Sequence, residues 1–294
     1  MTDPASDFEQ RLSEMRPALH RYCARMAGSA VDGEDIVQEA MLKAIVALPS
    51  VGPIDNPEGW LFRIAHTTAL DFLRRRARAP RLHTEEEDLA MIASPDTTEQ
   101  DHEIAATSLR TFLRLPALQR SAVILKDVLG HSLEETASIT GATEAAAKSG
   151  LQRGRIRLRE LAADPEDIEL PMLSDAMRAR LIAYVEGFKT GDFDAVRRML
   201  ADDVRLDLVG KFAAQGKGRL GVYYSRYAAV AERRAYAAGV VDGRPAMLVF
   251  DRSQPGTTPA YFVALEFAGD RVAVIHDFLF ARYAMEGIHL QAIS

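Results

Sequence analysis

The stretch Ser132-Leu-Glu-Glu-Thr-Ala-Ser-Ile-Thr-Gly141-Ala-Thr-Glu-Ala-Ala-Ala-Lys-Ser-Gly-Leu-Gln-Arg-Gly-Arg-Ile-Arg157 decides how the first half of the chain is read. Ser132, followed three residues later by Glu135, forms a capping box and starts a short helix over 132–140. Gly141 ends that helix, and Thr143 caps a longer one over 143–162. A short helix, a glycine turn and a basic helix make the helix-turn-helix pattern. The second helix presents Lys148, Arg153, Arg155, Arg157 and Arg159, cations suited to phosphate contact.

Outward from this stretch the texture stays helical in both directions for some distance. Segments 104–114 and 117–129 precede it as helices. Near the start, Leu12, Met15, Leu19, Tyr22 and Met26 recur at helical spacing until Gly28. Asp32 is expected to cap a second helix, with Asp35 at the third position and an apolar stripe of Ile36, Ala40, Met41, Ala44 and Leu48. Residues 49–53, with a proline at each end, predict a break. Asn56-Pro57 opens a third helix that runs into Arg74, Arg75, Arg76 and Arg78.

Charge divides the chain more clearly than its total does. Residues 81–103 hold one basic and eight acidic side chains and no periodicity, an acidic linker between two basic helical units. A second acidic linker covers 164–173. The organisation expected is 10–80 helical, 81–103 linker, 104–163 helical, 164–173 linker and 174–294 a separate domain. That last part reads as α+β. Helices are expected at 174–189, 192–201 and 220–237, and strands at 204–209, 240–241, 246–250, 261–267 and 271–281. Asp242-Gly243 and Gly269-Asp270 read as hairpin turns.

The whole chain has 294 residues, 48% of them hydrophobic and 27% charged, with a net charge of −6 and one cysteine, Cys23. Disulfide-framework, collagen-like and low-complexity classes are excluded. No apolar run long enough to span a bilayer and no signal-peptide pattern is present, so the expected location is the cytoplasm, with no membrane association. There is no glycine-rich phosphate loop and no His/Cys/carboxylate set at metal-ligand spacing, so neither cofactor nor metal is expected.

Several strings together resemble one family. Asp32-Gly-Glu-Asp-Ile-Val-Gln-Glu-Ala40, then Asn56-Pro-Glu-Gly-Trp-Leu-Phe-Arg-Ile-Ala65 with Asp71-Phe-Leu-Arg-Arg-Arg76, then Leu115-Pro-Ala-Leu-Gln-Arg120 with the helix-turn-helix, resemble the extracytoplasmic-function sigma factors over 10–163. The resemblance implies a protein that directs core RNA polymerase to promoter DNA and is not an enzyme. It places Asp35, Ile36, Gln38 and Glu39 on the clamp of the β′ subunit, and the last helical part near the β flap. It implies DNA contact by Trp60, Arg63, His66, Thr67, Arg74, Arg75, Arg76 and Arg78 at the −10 element, and by Thr143, Glu144, Lys148, Arg153 and Arg155 at the −35 element. Two departures bear on the second reader. Gly150 stands where the family usually has arginine, which predicts a lost DNA contact, and Thr136 and Thr140 stand where large apolar residues are usual, which predicts loose packing.

Tyr184-Val-Glu-Gly-Phe-Lys-Thr-Gly-Asp-Phe-Asp194 with Leu200-Ala-Asp-Asp-Val204 resembles the opening of SnoaL-like (polyketide-cyclase-like) domains of the nuclear-transport-factor-2-like fold. Some sigma factors carry such a domain fused at this end, with a string that Asp207-Leu-Val-Gly-Lys211 matches at Asp207, Gly210 and Lys211. The resemblance implies a cone-shaped cavity, and Asp207, Tyr223, Tyr224, His276 and Asp277 are its candidate residues, for a small-molecule ligand or for acid–base work. The alternatives at this point are an isomerase, cyclase or hydrolase in the C-terminal domain, and a helix-turn-helix regulator that works without polymerase.

Overall fold

The computed structural model describes residues 4–78, 107–163, 173–254 and 256–293. The acidic stretch 81–103 and nearly all of the 164–173 linker lie outside the described residues. The chain divides into one unit ending at Ile168 and a second beginning at Glu169.

Among the described residues, every regular element of the first unit is helical. They are α1 (Pro4–Ala27), α2 (Ala30–Val51), α3 (Pro57–Arg78), α4 (Leu109–Phe112), α5 (Ala117–Val123) prolonged by a π-turn over Ile124–Val128, α6 (Leu133–Thr140) and α7 (Glu144–Ala163). The capping box holds: Ser132 Oγ accepts from the Glu135 amide at 3.0 Å and Glu135 accepts from the Ser132 amide at 2.7 Å. Gly141 takes the left-handed conformation, φ +70, that ends α6.

Two expectations for this unit are corrected. Ser29, not Asp32, caps α2; its hydroxyl accepts from the Asp32 amide at 3.3 Å, and Asp32 sits in the first turn. Pro49 does not end the helix: α2 continues through it to Val51 and stops at Gly52, φ +71. The Thr136 and Thr140 hydroxyls each donate to a carbonyl one turn back, Ser132 O at 2.8 Å and Thr136 O at 2.7 Å.

The two helical stretches, 12–78 and 109–158, share one core. Leu19, Tyr22 and Met26 of α1, Ile36 and Ala40 of α2 and Phe62 of α3 pack with Phe112, Val123, Leu125, Ile139 and Leu158. Gly154, on α7, sets how closely that helix approaches α5, and Gly150 stands one turn before it. A Cβ at Gly154 would lie 2.6 Å from Val123 Cγ2, and one at Gly150 would lie 3.4 Å from Leu118 Cγ. Gly150 is buried.

The second unit is α+β. Helices α8 (Asp175–Thr190), α9 (Phe193–Arg198) and α10 (Gly221–Ala229) accompany a sheet of β1 (Leu200–Leu208), β2 (Phe212–Gln215), β3 (Arg234–Val241), β4 (Arg244–Asp251), β5 (Tyr261–Ala268), β6 (Arg271–Asp277) and β7 (Leu290–Ala292). The seven strands run in the order β2-β1-β6-β5-β4-β3-β7, with only β1 and β6 parallel. Asp242 (φ +50) and Gly243 (φ +84) make the tight β3–β4 turn as expected. The 220–237 helix is corrected: it ends at Ala229, and the alanine-rich Arg234–Val241 pairs along its whole length with β4. Helix propensity lost there to a sheet partner. Helices α8 and α10 cover one face of the sheet through Leu181, Tyr184, Phe188, Tyr223 and Tyr227 against Tyr236, Met247, Val249, Val263 and Ile275.

Candidate polymerase and promoter interface, and the C-terminal cavity

Helix α2 carries the four residues assigned to polymerase. Ile36 is 1% exposed and belongs to the core. Asp35, Gln38 and Glu39 are half-buried and share one face at i, i+3 and i+4. Burial opposes it, yet hydrogen bonds from Lys43 and Arg75 hold the Glu39 carboxyl below the usual range. Its oxygens lie 2.8 Å from Lys43 Nζ and 2.9 Å from an Arg75 nitrogen.

Helix α3 ends in the arginine cluster. Arg74, Arg75, Arg76 and Arg78 are all exposed, but three of them already hold a carboxylate: Arg74 pairs with Asp71 at 3.0 Å, Arg75 with Glu39 and Arg76 with Asp32 at 3.0 Å. The exposed Arg74–Asp71 pair is worth at most about 1 kcal/mol, so a DNA phosphate can replace that carboxylate at little cost, whereas the Asp32 held by Arg76 is buried. Arg63 and Thr67 are exposed on the same helix, and Trp60 is half-buried against the core.

His66 is different. It is 5% exposed, and its Nδ1 lies 2.7 Å from Tyr22 Oη and 3.4 Å from Ser121 Oγ of α5. Desolvation, helped by Arg63 and Arg74, pulls its pKa down to about 4, so the ring is neutral at neutral pH. Beside it, Arg120 donates to Met26 O at 2.7 Å, Leu115 O at 2.8 Å and Leu113 O at 3.2 Å, and burial pushes its pKa down to about 10. Tyr22, His66, Ser121 and Arg120 form a polar seam that joins α1 and α3 to α5. Composition and periodicity did not reveal this seam. Arg120 closes the Leu115–Arg120 string, but its partners are carbonyls, which leave no mark in side-chain pattern.

On α7, Thr143 accepts from the Ala146 amide at 3.2 Å, and Thr143, Glu144 and Lys148 are exposed at the N-terminal end. Arg153 is half-buried. Arg155 grips buried Asp127 with two hydrogen bonds, at 2.9 and 2.7 Å, which makes it a strut between α7 and the π-turn in this arrangement.

The five C-terminal candidates do not form one cavity. Successive residues of a strand point to opposite faces, and the structure separates His276 from Asp277 accordingly. His276 is 3.8 Å from Asp207 and 4.0 Å from Glu266 on the face away from α8 and α10. Asp277 faces the helices. Its Oδ2 accepts from Tyr223 Oη at 3.0 Å and Tyr227 Oη at 2.7 Å, and its Oδ1 from the Leu279 amide at 2.9 Å. Burial raises its pKa, and those hydrogen bonds oppose the shift. Tyr261 Oη donates onward to Tyr227 at 3.2 Å, and Arg234 donates to Tyr261. Tyr224 packs elsewhere, beside Phe193 and Arg197 along a shallow hollow of about 240 Å³. Tyr227, Tyr261 and Arg234 were missed. Tyr227 was reachable, being four residues from Tyr223 on one helix face; Tyr261 and Arg234 come together only through strand order.

Among the described residues no group of three or more His, Cys, Asp or Glu side chains is placed to hold a metal ion, and no helix is long and apolar enough to cross a membrane.

Comparison with known proteins gives a consistent picture for the first unit. The Sigma-70 region 2 family matches residues 12–79 and the Sigma-70 region 4 family matches residues 109–158. The chain is 34% identical to the ECF RNA polymerase sigma factor SigM of Mycobacterium tuberculosis, across 52% of this chain and 76% of the relative. It is 26% identical to the ECF RNA polymerase sigma factor SigG of the same species, across 93% of this chain and 81% of the relative. The crystal structure of the Mycobacterium tuberculosis extracytoplasmic function sigma factor SigJ is 21% identical, covers 91% of this chain and 95% of its own, and superposes with a TM-score of 0.35.

Proposed function

The chain belongs to the extracytoplasmic-function sigma factors of RNA polymerase, and from that premise we propose that its C-terminal unit adjusts promoter use by sensing a small molecule. The chain directs core RNA polymerase to specific promoters and starts transcription there. The observation that carries this is the ordered pair of region 2 and region 4 stretches, built on helices that share one core.

Asp35, Gln38 and Glu39 are the polymerase-binding face, and Ile36 supports it from inside. Arg63, Thr67 and the Arg74–Arg78 cluster read and grip DNA at the first element. The N-terminal end of α7, with Thr143, Glu144 and Lys148, enters the major groove at the second. The seam encloses His66 between the two readers. For His66 to reach DNA, region 2 and region 4 must part, and core polymerase is the partner that separates them. The C-terminal unit carries out no covalent chemistry in this reading. Both Asp277 oxygens already accept hydrogen bonds, which favours an anchoring carboxylate over a general base. The chain works in the cytoplasm, where core polymerase is.

Reconstituted transcription with core RNA polymerase tests both parts. The full chain is expected to yield promoter-specific transcripts, and Asp35→Lys with Glu39→Lys to lose them while the purified protein stays folded. The chain ended after residue 168 is expected to change promoter output relative to the full chain when cell extract supplies ligand. Equal output from both sinks the sensing role.

A further inference from the structure

A second cavity of the C-terminal unit, of about 440 Å³, opens between β3, β4, the start of β5 and the segment after β6. Its size suits a small organic ligand. Val230, Val249, Ala260 and Leu279 give it an apolar wall, and the Tyr261 ring closes one side. Its charged rim is unbalanced: Arg233, Arg234 and Arg282 face one carboxylate, Asp251. Hydrogen bonds from Ser253, with Arg234 and Arg282 adding their field, hold Asp251 below the usual carboxylate range, so it is ionised and offsets one cation.

Arg234 is the key group. Its guanidinium lies over the Tyr261 and Tyr227 rings, 5.2 and 5.3 Å from their centroids, and its hydrogen bond goes to the Tyr261 hydroxyl and not to a carboxylate. The formal anion on that relay, Asp277, stands two tyrosines away. A guanidinium held over two aromatic rings, at the edge of an apolar hollow that two further arginines also line, is preorganised for a planar, singly charged acceptor.

We propose that this cavity binds a small organic carboxylate with an aromatic or aliphatic body, its carboxylate on Arg234 and Arg282 and its body against Val230, Ala260 and Leu279. The proposal deepens the sensing role above by naming the ligand class and the residues that select it. On binding, the ligand oxygen competes with Tyr261 for Arg234, so occupancy is felt along Tyr261 and Tyr227 as far as Asp277.

Isothermal titration calorimetry on the full chain tests it with benzoate, phenylacetate and octanoate as probes, and benzamide and inorganic phosphate as controls. At least one acid is expected to bind saturably at one site per chain. Benzamide, which keeps the body and loses the charge, is expected to bind about tenfold more weakly or worse, as is phosphate, which keeps the charge and loses the body. Arg282→Gln, at an exposed position, is expected to weaken the acid about tenfold with unchanged thermal unfolding, and Arg234→Gln to do the same or more. Failure of all three acids to bind, equal binding of benzamide or phosphate, or full affinity in both arginine variants overturns the proposal. Because no polymerase is present, acid binding without any effect on transcription leaves the pocket standing and sinks only the sensing role.

Discussion

Both units bury polar groups at their centres, and the two sets are built differently. In the helical unit, Tyr22, His66, Ser121 and Arg120 connect stretches 94 and 99 residues apart through hydrogen bonds to hydroxyls and carbonyls. In the C-terminal unit, Asp277 and its tyrosines sit inside a continuous aromatic cluster, with Phe188 5.1 Å from Tyr227 and 5.5 Å from Tyr236. Water can satisfy every polar group of the first set once the two halves separate, at a net loss of about 1 kcal/mol per hydrogen bond, with exposure of the shared apolar core as the larger cost. The second set cannot be opened without exposing several aromatic faces. A polar seam suits parts that must come apart on a partner; an aromatic ladder suits a part that must hold its shape around a pocket.

The largest effect expected from breaking this contrast is at Arg120. Arg120→Ala leaves the carbonyls of Met26, Leu113 and Leu115 without their donor, and should destabilise the helical unit by about 3–5 kcal/mol. Urea unfolding followed by the fluorescence of Trp60, the only tryptophan, reports on that unit alone. The C-terminal transition, followed by near-ultraviolet tyrosine dichroism, should not move.

Asp277→Ala should act on the other side of the comparison. It strands the Tyr223 and Tyr227 hydroxyls and should cost the C-terminal unit about 2–4 kcal/mol, with Asp277→Asn costing less. The Trp60 transition is the control.

Acid should drive the two units in opposite directions. The folded-state pKa of His66 is about 4, below the ordinary 6.5, so its contribution is complete above pH 6.5 and is lost as pH falls through 4. The folded-state pKa of Asp277 lies above its ordinary value of 3.8, so its contribution is complete at low pH and is lost as pH rises through that raised value. Replacing His66 by Gln should flatten the acid-side loss of the Trp60 transition, and Asp277→Asn should flatten the opposite trend of the tyrosine signal. Identical pH slopes in parent and variants would remove both assignments.

The smallest effects are at the α5–α7 contact. Gly154→Ala forces a methyl against Val123 and should cost about 1–3 kcal/mol. Gly150→Ala meets only an ordinary contact with Leu118 and should stabilise α7 by up to about 1 kcal/mol through helix propensity. Thermal unfolding of the two variants separates a close-packed glycine from an incidental one.

What was legible in the sequence was local. The capping box at Ser132, the glycine at 141 and the Asp242-Gly243 turn depend on neighbours within a few residues, and each took the form its residue types require. Alternation along β6 likewise already placed His276 and Asp277 on different faces, although the five cavity candidates were grouped together. What was not legible depended on partners distant in sequence. Residues 234–237 look helical until β4 pairs with them, and Arg234, Tyr261 and Asp277 meet only because β3, β5 and β6 are ordered as they are. Arg155 reads as a DNA-contacting cation and Arg120 as the end of the Leu115–Arg120 string, and their roles as struts come from a carboxylate and carbonyls that fold back upon them.

Cys23 lies on α1 next to Tyr22, fully buried, with its thiol pKa pushed up by burial and by Glu34. The thiolate is the form that alkylating reagents attack, so in the closed helical unit this side chain is chemically silent. It reacts only when the region around α1 opens. The rate at which iodoacetamide consumes the single thiol is therefore a clock for that opening, and it needs no engineered label. Run with and without core polymerase, the same clock would show whether the enzyme finds the unit already open or holds it so.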